Sequence, residues 1–142
     1  MRRLLIIFIA IGFSLACTAE DRPVLSDQLP AAAKTFINTN FPGVEISYAT
    51  VDDDIVKPDY EVVLSNGAKI QFSNDGALEK VECRAGVPDS VVPVQIREYV
   101  TLLYPGAVIV EYDITKRRYE IGLSNGLELK FNSKFKVIEL DD

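Results

Sequence analysis

The sequence predicts an α+β fold: a tandem repeat of a helix followed by a four-stranded antiparallel meander, with the helices on one face of a broad antiparallel sheet. Three observations predict it. Leu29-Pro30 to Phe41-Pro42-Gly43 and Val92-Pro93 to Tyr104-Pro105-Gly106 share their spacing, with Phe36-Ile37 matching Tyr99-Val100. Tyr60-Glu61-Val62-Val63-Leu64-Ser65-Asn66-Gly67 then matches Tyr119-Glu120-Ile121-Gly122-Leu123-Ser124-Asn125-Gly126, and Phe72 matches Phe131. Between these anchors the apolar residues fall first at helical and then at alternating spacing. Chance supplies one such match; a run in the same order is the mark of duplication.

The elements follow in chain order. Met1, Arg2 and Arg3 give a positive start, Leu4 to Leu15 are almost wholly apolar, and Ala16, Cys17, Thr18 and Ala19 are mostly small. This is the order of a secretory signal peptide, and the apolar run is shorter than the ~20 residues that span a bilayer. Cleavage after Ala19 leaves a chain beginning at Glu20; the alternative is a lipoprotein anchored through Cys17. The expected organisation is a signal peptide at 1–19, a first repeat at 20–83 and a second at 84–142, with no transmembrane segment left after cleavage.

Pro30 and Pro93 suit the first turn of a helix, where no N–H is needed. Leu29, Ala33, Phe36, Ile37 and Phe41 form one apolar stripe, and Val92, Ile96, Tyr99, Val100 and Leu103 form another, as in amphipathic helices of about three turns. Phe36 and Tyr99 are expected in the core. Pro42-Gly43 and Pro105-Gly106 end the helices. Strands follow where Val44, Ile46 and Tyr48, then Tyr60, Val62 and Leu64, alternate with polar residues. Asn66-Gly67 and Asn125-Gly126 predict two-residue hairpin turns with both residues at positive φ. Ile70 and Phe72, Leu78 to Val81, Leu127 to Phe131 and Val137 to Leu140 continue the meanders, and Asn74-Asp75-Gly76 predicts another turn. Alternation leaves one sheet face under the helices and one toward water. The two sheets are expected to align edge to edge, joined by a linker from Cys83 to Asp89.

Composition narrows the chemistry. The formal net charge is −6, and signal removal takes away two arginines. Such a chain is a poor partner for nucleic acid, whose phosphates call for Lys and Arg. There is no histidine, which excludes Ser-His and Cys-His catalysis and histidine metal sites. Cys83, beside Arg84, is read as a small half-buried residue at the junction rather than as a reactive thiolate. No catalytic residue and no organic cofactor is expected.

The order Asp21-Arg22-Pro23, Leu29-Pro30, Phe36-Ile37, Phe41-Pro42, Tyr60-Glu61-Val62 and Ser65-Asn66-Gly67 behind a signal peptide resembles the PepSY-like proteins of Bacteroides-type bacteria. The resemblance covers essentially the whole mature chain. It implies a fold similar to that of the β-lactamase inhibitory protein, and a non-enzymatic periplasmic protein that binds or inhibits an exported protein or peptide. Some relatives are suspected of calcium regulation.

Two sets of residues are candidates. Asp52, Asp54 and Asp59 lie in a loop that is longer in the first half; calcium takes carboxylate and carbonyl oxygens of this kind, whereas loop Asp residues also serve as turn formers. Glu61, Lys69 and Gln71, with Arg117, Arg118, Glu120 and Lys130, are expected on the open sheet face, where a mixed-charge surface could hold a partner. The leading reading is a binding or inhibitory module; the alternative is a calcium-responsive structural or sensory protein of the envelope.

Overall fold

The computed structural model describes residues 21–52 and 59–141; the signal-peptide reading, Cys17 and Asp54 fall outside them. The chain begins with strand β1 (Arg22–Val24) and a 3₁₀ turn (Ser26–Gln28), followed by helix α1 (Ala31–Asn40). Strands β2 (Ile46–Asp52), β3 (Asp59–Leu64), β4 (Lys69–Phe72) and β5 (Leu78–Glu82) come next. Helix α2 (Val94–Leu103) precedes β6 (Ile109–Thr115), β7 (Arg118–Leu123), β8 (Glu128–Asn132) and β9 (Val137–Asp141).

The expected α+β tandem repeat, a helix over its own four-stranded meander in each half, is corrected by this topology. Among the described residues the strands form one nine-stranded antiparallel sheet in the order β1 to β9, and each helix has only 10 residues. Two features account for the difference. β1 pairs with β2, adding a strand that no alternation announces: it is three residues long and contains Pro23, tolerated because an edge strand leaves a proline's missing N–H unneeded. No boundary divides the sheet either, since β5 pairs with β6 through Lys80–Asp113, Val81–Tyr112 and Glu82–Glu111.

Strand alternation sorts the side chains. One cross-strand row, Val24–Ala49–Val62–Ile70–Val81–Tyr112–Ile121–Leu129–Leu140, is apolar from edge to edge. Its interior members belong to a single continuous core. Both helices pack on this face. Phe36 of α1 meets Phe72 edge-on at 5.6 Å, and Tyr99 of α2 meets Phe131 edge-on at 5.4 Å, arrangements that aromatic rings favour. Phe36 and Tyr99 are half-buried at the helix–sheet seam, while Phe72 and Phe131 are completely buried.

The hairpin turns differ from the expected form. Gly67 and Gly126 have φ of 86° and 90°, and no asparagine has positive φ. Instead Asn66 Oδ1 accepts a hydrogen bond from the Ala68 N–H at 3.0 Å, and Asn125 Oδ1 accepts one from the Leu127 N–H at 3.1 Å. Leu64 N–H donates to the Ala68 carbonyl and Gly67 N–H to the Leu64 carbonyl. These are three-residue loops that end in a left-handed glycine. The β8–β9 turn closes in the same manner with Phe135 at φ 59°.

Candidate functional site

The face opposite the helices is built from the residues between the apolar ones. Its central row reads Thr50–Glu61–Gln71–Lys80–Asp113–Glu120–Lys130–Glu139. The neighbouring row reads Tyr48–Val63–Lys69–Glu82–Glu111–Gly122–Glu128–Asp141. None of these side chains is buried, and carboxylates far outnumber ammonium groups. At ~4.8 Å per strand the two rows extend about 34 Å from β2 to β9.

Two lysines organise the charge. Lys80 Nζ lies 2.8 Å from Glu111 Oε1 and 3.0 Å from Glu82 Oε1, which ties the centre of the sheet across the β5–β6 seam. The hydrogen bond that Lys80 donates to Glu111 above all holds its ammonium above its usual range. Asp113, the register partner of Lys80, has its pKa raised, chiefly by burial and against the pull of Lys80. Toward the far edge Lys130 Nζ lies 3.1 Å from Glu139 Oε1 and 3.2 Å from Asp141 Oδ2, and these partners hold it above its ordinary value, Glu139 first.

The structure separates the predicted partner-binding residues. Glu61 and Gln71 are neighbours, with Gln71 Nε2 donating to Glu61 Oε2 at 3.4 Å. Glu120 and Lys130 are register partners on the same row, three strand spacings farther on, or about 14 Å. Lys69 lies one row away and lines an open hollow with Glu82, Arg84 and Glu111. Arg117 and Arg118 stand exposed at the β6–β7 turn. The set therefore marks a long surface rather than a pocket. The Lys80–Glu82–Glu111–Asp113 group at its centre was missed, although the alternation of these residues with Val81 and Tyr112 already carried the signal.

Asp52 and Asp59 are Cα partners at the end of the β2–β3 hairpin. With Asp21, Glu61 and Glu79 they line an open cleft of about 330 Å³. Among the described residues no group of three or more carboxylates, histidines or cysteines is drawn together as a metal ion would need. Cys83 is a free cysteine with 4% of its surface exposed. Among the described residues no helix is long and apolar enough to cross a membrane.

Comparison with known proteins places this geometry. Residues 58–139 match the family described as "Putative beta-lactamase-inhibitor-like, PepSY-like". A "putative calcium-regulated periplasmic protein" from Bacteroides thetaiotaomicron is 36% identical with a TM-score of 0.83, over 86% of this chain and 97% of that one. A "putative periplasmic protein from DUF2874 family" from Bacteroides vulgatus is 39% identical with a TM-score of 0.82, over 87% and 98%. A second Bacteroides vulgatus structure, a "putative periplasmic protein of unknown function", is 27% identical with a TM-score of 0.81, over 87% and 100%. No curated protein matches.

Proposed function

The chain belongs to the PepSY-like family, and from that premise we propose that it is an exported, non-catalytic periplasmic module whose open sheet face binds an exported protein or peptide, as an inhibitor would. The observation that carries the reading is the helix-free face itself: two rows of solvent-facing residues on a sheet whose other face is fixed by one core. An extended, braced, charged surface suits a macromolecular partner better than a small molecule, which calls for a concave and largely apolar site. The lack of histidine and the burial of Cys83 support a non-catalytic role.

Photo-crosslinkers placed at Gln71, Glu111 and Glu120, with controls at Lys34 and Thr101 on the helices, test this in intact cells. Discrete adducts from the sheet positions and none from the helix positions are expected. Adducts from both faces alike, or from neither, overturn the reading. Export is assigned to residues 1–19, in keeping with the periplasmic relatives. Mass spectrometry of the native protein should find an N-terminus at Glu20; an acylated Cys17 establishes the lipoprotein alternative.

A second reading, a calcium-responsive envelope protein, is favoured by the carboxylate-lined cleft at Asp52 and Asp59 and by the relative described as calcium-regulated. A bound cation would relieve repulsion among these carboxylates and raise the melting temperature by mass action. Millimolar calcium should therefore raise Tm for the wild type and not for the Asp52→Asn, Asp54→Asn, Asp59→Asn triple variant. The absence of a shift, or an equal shift with magnesium, removes this reading.

A further inference from the structure

The two edges of the sheet are unlike. β1 is three residues long and carries Pro23, so it offers a short edge with a donor missing, the usual protection against strand addition. β9 is five residues long, has no proline and, among the described residues, pairs on one side only; its ladder to β8 shifts register between Val137 and Glu139, so the regular edge runs from Glu139 to Asp141. An edge strand of this kind presents a line of backbone N–H and C=O groups that another extended chain can use. Two of its side chains are apolar and exposed: Ile138 is 48% and Leu140 50% accessible. Between and after them stand Glu139 and Asp141, whose carboxylates share one ammonium, Lys130. Glu120 and Glu128, beside Lys130 and Asp141 in the register, leave this corner of the outer face with a surplus of negative charge.

We infer that the free edge of β9 accepts an extended segment in which apolar residues alternate with basic ones, adding it to the sheet as a tenth strand. The backbone supplies the ladder. Alternation sets the apolar side chains beside Leu140 and the basic ones beside Glu139 and Asp141, because successive side chains point to opposite faces. A second copy of this chain is a poor occupant of the regular stretch from Glu139 to Asp141. Antiparallel pairing of two β9 strands about Glu139 or about Leu140 sets carboxylate against carboxylate, and directly opposed like charges destabilise a strand pair. The charges that discourage self-association thereby select a cationic guest. This site is separate from the open face and does not require that face to bind anything.

The probe is a capped peptide of alternating lysine and valine, titrated into isotopically labelled protein and followed by backbone amide NMR. Shifts and slowed amide exchange confined to β9 and β8 are expected, weakening as salt is raised. Two further peptides, N-methylated on all lysines or on all valines, separate strand addition from simple charge attraction. Only one set of peptide N–H groups faces β9, so one version should lose at least about tenfold in affinity, or ~1.4 kcal/mol, while the other retains it. The double variant Glu139→Lys, Asp141→Lys should lose binding while its spectrum stays folded. No binding at millimolar peptide, equal binding of both methylated versions, or shifts centred on the outer face of β3 to β6 would overturn the inference. Concentration-dependent protection of β9 without peptide would overturn it too, because the occupant would then be a second copy.

Discussion

Gly76 joins the sheet to the first helix, and adding one methyl group there tests the packing directly. It sits in the β4–β5 turn at φ +85°, and a Cβ built on it lies 2.8 Å from Pro30 Cβ, 3.0 Å from the Ala33 nitrogen and 3.1 Å from Ala32 Cβ. Gly76→Ala therefore meets two penalties. Left-handed backbone costs a residue with a Cβ about 1–2 kcal/mol, partly offset by ~0.4–1 kcal/mol from a less entropic unfolded chain. The clash with the start of α1 adds about 1–3 kcal/mol, as for overpacking in general. A total of roughly 2–4 kcal/mol is expected. Gly67 provides the control: its φ is +86° and a Cβ there has nothing within 4 Å, so Gly67→Ala should cost only about 1 kcal/mol. Urea unfolding with an unchanged slope reads both. Equal losses for the two variants would refute the contact between α1 and the turn.

Three other perturbations follow from features already described. Phe135 holds a left-handed conformation while stacking on Tyr119 at 5.2 Å, so Phe135→Gly should be less destabilising than Phe135→Ala by about 1 kcal/mol, as read by chemical denaturation. Lys80→Met leaves Glu82, Glu111 and Asp113 without their cation and should cost about 1–2 kcal/mol at low salt; the loss should shrink in 1 M salt, and a salt-independent loss would contradict an electrostatic origin. Asp113 has a raised folded pKa, so its contribution to stability is present at acid pH and is lost as pH rises through that folded value. Asp113→Asn should accordingly raise Tm at neutral pH, and the gain should disappear in acid below the ordinary carboxylate range.

Much of the fold was legible because the physics is local. Pro30 and Pro93 cap the two helices at their starts, and Phe41 and Tyr104 at their ends, as the Pro and Pro-Gly signals require. The alternation around Val62, Ile70 and Leu129 marks the core face without reference to any other strand. What escaped depends on relations between segments. β1 has no periodicity and becomes a strand only because β2 offers an edge. The length of the Asn-Gly loops depends on which residues pair in the flanking strands, so Asn66 and Asn125 act through their side chains rather than through positive φ. The candidate face was legible residue by residue, since Glu61, Gln71, Glu120 and Lys130 all fall on the solvent side. Their separation into two groups was not, because the register that inserts Lys80 and Asp113 between them is set across the connection containing α2.

The strictly sequential strand order has a kinetic consequence. Seven of the eight ladders join strands linked by a hairpin or, for β1 and β2, by the α1 connection, while the β5–β6 ladder must close the chain between Glu82 and Glu111. Short closures are entropically cheap and long ones slow. Folding is thus set to proceed outward from the β3–β4 and β7–β8 hairpins, with the β5–β6 seam among the later events. At that moment Lys80, already held by β5 beside Glu82, meets Glu111 arriving on β6, so the attraction that straddles the finished sheet also acts as the latch that joins its two growing parts.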